Sequence, residues 1–368
     1  MKGVKPMKMK GMAIILLATA LTTTAFGLER PGVEFKVFQF PPNMIPRIDG
    51  DTEDWNIVPD SYAIGLDQLS DTVKGRGTNL DPKDFDVKVK VGWVKGLSRL
   101  YFLYEAYDDY WDFERFNPSG YSNDIFEIAV DADLSGGPFI TNDYLRNTFG
   151  AIGNHFAFSG VHGQNYHIFT PPQNNAWVLV LGCQPWISEL PWSNYAYSYS
   201  FKHGESGRLV LECWITPFDY APYDGPERAV ESKLVENTII GLSWSILDFD
   251  GGKRDGHYNL AHNVNMVKDG SYLCAFRLMP LEDKFRDPIK AQWSFEVIDM
   301  SRRLVYFKDE SYGEITSWLW NFGDGITSTE RNPVHEFKEP GVYYVVYLDV
   351  EGPRGKSRTA KYWDVMVK

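Results

Sequence analysis

"DVKVKVGWVKGLSRLYFLYEAYDD", residues 86–109, alternates apolar and polar side chains in two runs around a short Gly-Leu-Ser break. Val87, Val89, Val91 and Trp93 share one face of the first run, and Leu100, Phe102, Tyr104 and Ala106 share one face of the second. Successive side chains on a strand point to opposite faces, so this period of two predicts two half-buried strands joined by a turn. A helix would need apolar residues three and four apart, and no segment sustains that stripe. The alternation recurs at 124–132, where Phe126, Ile128, Val130 and Ala132 face one way and Glu127 and Asp131 the other. It continues through 176–182, 208–215 and 238–247, and clusters such as "DLSGGP" and "DFDGGKRDG" supply turn chemistry between strands. Short helical turns are expected near 217–222 and 227–235. The fold class is therefore all-β: a large antiparallel β-sandwich followed by a small immunoglobulin-like β-sandwich. "PLEDKFRDPIKAQ" (280–292) is charged, holds two prolines and breaks the alternation. It places a domain boundary near 285, with domains at 28–285 and 286–368.

Residues 1–27 read as an export signal. Lys2, Lys5, Lys8 and Lys10 precede an apolar run, Met12 to Leu21, that is too short to span a bilayer. Ala25-Phe26-Gly27 then offers small residues for cleavage. The expected location is secreted, periplasmic or cell surface, and no other stretch is apolar enough for a membrane span. Four of the 37 basic residues lie in this segment and none of the 49 acidic ones, so the remainder is more acidic than the −12 of the whole chain. That balance argues against nucleic acid, which requires a basic footprint. Cysteines number three, so at least one is unpaired, and Cys213 in "LVLECWI" is expected as a buried free thiol. Cys183 and Cys274 leave one disulfide open.

From Gln292 onward short strands recur over about 80 residues. They contain Trp320-Asn321-Phe322-Gly323-Asp324-Gly325, then Asn332-Pro333-Val334-His335-Glu336-Phe337, then Pro340-Gly341-Val342-Tyr343-Tyr344-Val345. These blocks resemble, in order and spacing, the W-x-F-G-D-G, N-P-x-H-x-F/Y and P-G-x-Y-x-V blocks of the polycystic kidney disease (PKD) domain family. Physically they concern folding. Trp320 and Phe322 share strand parity and are expected in the core, with Tyr343 and Val345 inward from a later strand. Gly323 and Gly325 suit a turn with positive φ. The resemblance implies a non-catalytic spacer or interaction module, through which a protein partner could be engaged.

Ile48-Asp49-Gly50 with Trp55, the pair Asp108-Asp109, the run Asp124, Glu127 and Asp131, and "GLSWSILDFDGG" (241–252) resemble the family 9 carbohydrate-binding module and its DOMON-like relatives. The resemblance implies a β-sandwich that holds an oligosaccharide or polysaccharide between aromatic rings and carries calcium. Sugar rings present C–H patches to aromatic faces while amides and carboxylates take the hydroxyls. The expected aromatic residues are Trp111 beside Tyr110, and the cluster Trp177, Trp186, Trp192 and Tyr195 with Tyr197 and Tyr199. In "DADLSGG", Asp131, Asp133 and Ser135 alternate ahead of Gly136, like the start of a calcium loop, with Asn142 where the twelfth-position glutamate would stand. "DFDGGKRDG" offers Asp248, Asp250 and Asp255 as a second acidic loop.

The function expected is thus a secreted, non-catalytic carbohydrate-binding protein, an accessory to polysaccharide breakdown. One alternative is an adhesion module binding a protein. Another is a glycoside hydrolase, which needs two carboxylates at a set separation that sequence alone does not pick out of 49 acids. A further one follows from haem-binding DOMON-like relatives, for which Met266 with His257 or His262 would be the axial pair. No G-x-S-x-G, H-E-x-x-H or phosphate loop is present.

Overall fold

A computed structural model describes residues 28–114, 122–140, 155–173 and 176–367. The proposed export segment and Asn142 lie outside the described residues. The strands are, in order, β1 (Glu29–Gln39), β2 (Phe85–Trp93), β3 (Leu100–Asp108), β4 (Ile125–Asp131), β5 (Gln164–Gln173) and β6 (Ala176–Gly182). Next come β7 (Ser193–Ser198), β8 (Gly207–Ile215), β9 (Ile239–Asp250), β10 (Lys253–Asn259) and β11 (Cys274–Leu278). The C-terminal part holds β12 (Trp293–Asp299), β13 (Leu304–Asp309), β14 (Ser317–Asn321), β15 (Val334–Glu336), β16 (Val342–Gly352) and β17 (Gly355–Val367).

The first domain runs β6-β5-β4-β9-β11-β1-β2-β3-β8-β7, with β10 paired to β9. The pairings are antiparallel except those of β1, which runs parallel to β11 through Phe35–Val37 and then to β2 at Phe38–Gln39. β1 therefore carries the chain of hydrogen bonds from one layer to the other. The layers meet face to face, with Tyr104 of β3 stacked on Phe126 of β4 at 4.4 Å between ring centroids. The alternating residues predicted to face inward do so: Val87, Val89, Val91, Phe102, Phe126, Ile128, Leu209, Leu211 and Trp244 are all buried in one core.

The polar parities face outward and line up across strands. On the first layer, Glu127 of β4 sits opposite His167 of β5 and Ser245 of β9. On the second, Asp86, Tyr107 and Arg208 form one cross-strand row, and Lys88 and Glu105 the next. One end of this second face is covered by the segment around Trp55. Its buried indole Nε1 donates to Glu212 Oε1 at 2.8 Å, while the Asp49 and Gly50 amides donate to Oε2 at 3.1 and 2.7 Å. The Ile48-Asp49-Gly50…Trp55 stretch is thus an anchor on one buried carboxylate. Burial raises the Glu212 pKa, against these bonds.

In the C-terminal part, β12-β13-β15 form one sheet; β14, β16 and β17 form the other with the short strand Thr327–Ser328. Trp293, Phe307, Trp320, Phe322, Phe337 and Leu348 fill the core between them. One expectation is corrected: Tyr344 and Val346 point inward, and Tyr343 is exposed. Residues 343–347 are apolar or aromatic at both parities, and β16 shifts register between Tyr344 and Val346, so alternation could not decide the face. A second correction concerns 217–222, where Phe218–Tyr220 is a short strand paired with Val230–Glu231; Pro226–Arg228 turns helically, as do further short segments such as Thr52–Ile57, Pro185–Ser188 and Val264–Val267. All three cysteines are buried and free.

Candidate functional site

Four elements of the first layer bring together a buried polar cluster. Glu127 of β4 is 2% exposed. His167 Nε2 of β5 lies 2.7 Å from its Oε1. Ser245 of β9 donates its Oγ to Oε2 at 2.5 Å. His257 Nε2 of β10 lies 3.0 Å from the same Oγ and 3.5 Å from Oε2. Burial would raise the Glu127 pKa, but the charges and hydrogen bonds of His167 and His257 outweigh it and hold the carboxyl well below its usual range. The cluster opens into a groove of about 390 Å³, where Arg254 and Lys268 join it between Ile140, Leu247, Val264 and Val267. A carboxylate has about four acceptor positions, so three neighbours do not exhaust it. Acceptor, imidazoles, guanidinium and ammonium thus converge beside apolar walls, which is the composition of a small-molecule site. The sequence places Glu127 on the outward parity, but nothing in it joins His167 or His257 to Glu127. Only strand register joins them.

The expected aromatic residues divide. Trp111 is fully buried, parallel to Phe201 at 5.0 Å and 5°, with its Nε1 donating to Gly207 O at 3.0 Å. It caps the core and offers no stacking face, a correction that follows from the cost of exposing an indole whose N–H already has a partner. Trp186 and Trp192 meet edge to face at 5.6 Å, both against Phe218, and are half-buried against the core. Trp177 is nearly buried and bonds Ser188 O, while Tyr195, 37% exposed, stacks on it at 4.8 Å and 16°. Ser188, Glu189 and Asn194 border a groove of about 720 Å³ beside that pair. Tyr195 and Tyr199, 40% exposed, are therefore rings of this set that face solvent.

In the loop after β4, Asp131 Oδ1 is buried without a hydrogen-bond partner among the described residues, and burial followed by the neighbouring Asp133 carboxyl pushes Asp131 up to about 7. Gly136 N donates to Asp131 Oδ2 at 2.7 Å, and Ser135 N to Asp133 Oδ1 at 3.1 Å. Among the described residues, the groups of three converging carboxylates lie elsewhere. Asp108, Asp124 and Asp248 are buried and bring one oxygen each within 4.8 Å of the others. Asp84 joins Asp248 and Asp255 in a second group, and Asp109 and Asp250 in a third. Asp124 accepts from the Phe249 and Asp112 amides, and Asp248 Oδ2 from the Tyr258 hydroxyl at 2.6 Å. Asp108 Oδ2 is buried without a partner. Burial first, then the charge of Asp248, pushes Asp108 up to about 9. Burial likewise lifts Asp248 to about 7, and Asp124 goes well above its usual range. Arg76 serves the rim, 3.0 Å from Asp71 and 2.9 Å from Asp255. The donors of the Asp108, Asp124 and Asp248 group suit the calcium that the resemblance implies: all are oxygens, they converge, and Asp108 Oδ2 has no partner among the described residues.

The imagined haem ligands have other partners. Met266 lies in the core, His257 bonds Ser245, and His262 Nε2 lies 3.0 Å from Gln68 O. No helix among the described residues is long and apolar enough to cross a membrane.

The chain is 33% identical over 133 residues to collagenase ColA of Bacillus cereus, covering 34% of this chain and 13% of that protein. It is 52% identical over 54 residues to collagenase ColQ1 of Bacillus cereus strain Q1, covering 14% and 6%. The chain thus spans a small fraction of the length of these relatives. By structure it is similar to a family 9 carbohydrate-binding module from Caldicellulosiruptor kristjanssonii in complex with cellotriose, at a TM-score of 0.44 and 18% identity, over 70% of this chain and 99% of that one. It is also similar to the PKD1 domain of the Vibrio cholerae metalloprotease PrtV, at 0.20 and 27%, over 22% and 100%. The PKD domain family model matches residues 301–367. With its three sequence blocks and its two-sheet sandwich, the C-terminal part of the chain is a PKD domain.

Proposed function

We propose that the first domain binds carbohydrate in the groove over Glu127, in an exported protein whose PKD domain is a non-catalytic spacer. The observation that carries this reading is the buried Glu127 carboxylate, held by His167, Ser245 and His257, opening into a groove with donors and apolar walls. A sugar hydroxyl both donates and accepts. It needs a fixed acceptor such as Glu127 beside donors such as Arg254 and Lys268, while Leu247, Val264 and Val267 receive the C–H faces of the ring. Asp108, Asp124 and Asp248 would hold calcium, which supplies the positive charge their oxygens lack; its role there is structural, fixing the ends of β3 and β9 and the start of β4.

Isothermal calorimetry of the purified chain with cellohexaose, xylohexaose and mannohexaose tests the reading. Binding of one of them by the wild type is expected, with the equivalent that fills this groove lost in Glu127→Gln. Equal affinity in the two proteins would refute the assignment of this groove.

A further inference from the structure

The outer face of the second layer carries a separate groove of about 570 Å³. Its floor is the grid of outward side chains on β2, β3 and β8. Tyr107 lies between Asp86 and Arg208, and Glu105 lies beside Lys88 in the next row. Neighbouring strands are about 4.8 Å apart and alternate residues about 6.8 Å, so donors and acceptors repeat on the scale of a sugar ring. Leu66, Thr78, Leu80 and Pro82 form a wall along one side.

The charges on this floor do not close on one another. Elsewhere on the molecule opposite charges within reach do: Arg277 grips Glu34 with two bonds of 2.6 Å, and Arg358 grips Asp349 at 2.6 and 2.8 Å. Among the described residues, Lys88, Glu105, Tyr107 and Arg208 make no side-chain hydrogen bond or ion pair, although Lys88 faces Glu105 directly across the ladder. Opposite charges that stand apart around a central phenol ring leave both acceptors and donors free, and the ring supplies an apolar face. The anchor around Trp55 covers the other end of this face and leaves this end open.

We propose that this groove is a second binding site for a neutral oligosaccharide, with Tyr107 as the stacking ring, Glu105 and Asp86 as acceptors, and Arg208 and Lys88 as donors. It rests on the reading of the domain as carbohydrate-binding and makes the domain bivalent, one site on each layer. An uncharged polyol suits it better than an ion, because both signs of charge are present and neither is neutralised.

Calorimetry with the three hexaoses on the full chain, the Tyr107→Ala/Arg208→Gln double variant and Glu127→Gln tests this. The double variant alters outward positions, and circular dichroism melting checks that it folds. The wild type is expected to take two equivalents. Each variant is expected to take one, with affinity at the altered site weakened at least about tenfold, some 1.4 kcal/mol. A single equivalent, abolished by Glu127→Gln and untouched by the double variant, overturns this groove and leaves the first standing. A single equivalent abolished by the double variant and kept in Glu127→Gln supports this groove and overturns the first. Absence of binding, or binding indifferent to both variants, overturns both.

Discussion

Trp111 and Tyr195 show how the same kind of expectation turns on exposure, 0% for one ring and 37% for the other. Trp111 is sealed against Phe201 with its N–H satisfied, whereas Tyr195 leans on Trp177 with one edge in water. Trp111→Ala is expected to cost about 3–5 kcal/mol of stability, the range for deleting a buried indole. Tyr195→Ala is expected to cost less, about 0.5–1.5 kcal/mol, since it removes a partly exposed ring stacked on Trp177, which is not on a neighbouring strand. Chemical denaturation of the two variants checks the contrast. Glu127 makes a prediction about pH as well. Its folded pKa is depressed, so its contribution is fully present above the unfolded value, near 4.3, and is lost as pH falls through the folded value. Glu127→Gln should therefore flatten the acid limb of a stability-against-pH curve, and an unchanged limb would show that the histidines do not hold the charge.

At the scale of elements, Gly323 in the turn Gly323-Asp324-Gly325 is a tight constraint in the C-terminal sandwich. Gly323 has φ +83°, and a Cβ there would lie 2.6 Å from Val345 O. Gly323→Ala is expected to destabilise the PKD domain by about 1–3 kcal/mol, read from its melting transition. His335 Nε2 meets Asp324 Oδ2 at 2.7 Å and lies flat on Phe322 at 4.0 Å, so the three sequence blocks converge on one corner. That corner was legible in the sequence because glycines, aromatics and turn residues act over a few positions. The strands of the first domain were legible for the same reason: 86–109 alternates without ambiguity. Residues 343–347 were not, since apolar residues at both parities leave the inward face to be chosen by pairing with β17. The Glu127 cluster was illegible for another reason. Its members come from β4, β5, β9 and β10, and only the register of those strands makes neighbours of them. The aspartate centre lay partly in view, since Asp108-Asp109 and "DFDGGKRDG" both carry its ligands, but their convergence depends on β3 and β9 ending at the same rim.

For the molecule as a whole, the aspartate centre ties the ends of both layers: Asp108 comes from β3 of the second, Asp248 from β9 of the first. Calcium at saturating concentration should raise the melting temperature of the first domain. A hundredfold excess over the dissociation constant contributes about 2.7 kcal/mol, and a domain of this size gains about 2–4 °C per kcal/mol. Chelation should reverse the rise and Asp248→Asn should reduce it; a melting temperature indifferent to calcium would remove the metal from the account. The layered construction leaves room for the two proposed sites, since each sheet buries one face and turns the other outward. The most direct measurement of the central claim is a crystal structure of the chain soaked with the hexaose that binds it. The account predicts a sugar ring in the groove beside His167 and His257, with a hydroxyl about 2.5–3.2 Å from a Glu127 carboxylate oxygen. An ordered hexaose elsewhere, with that groove empty under saturating ligand, would contradict it.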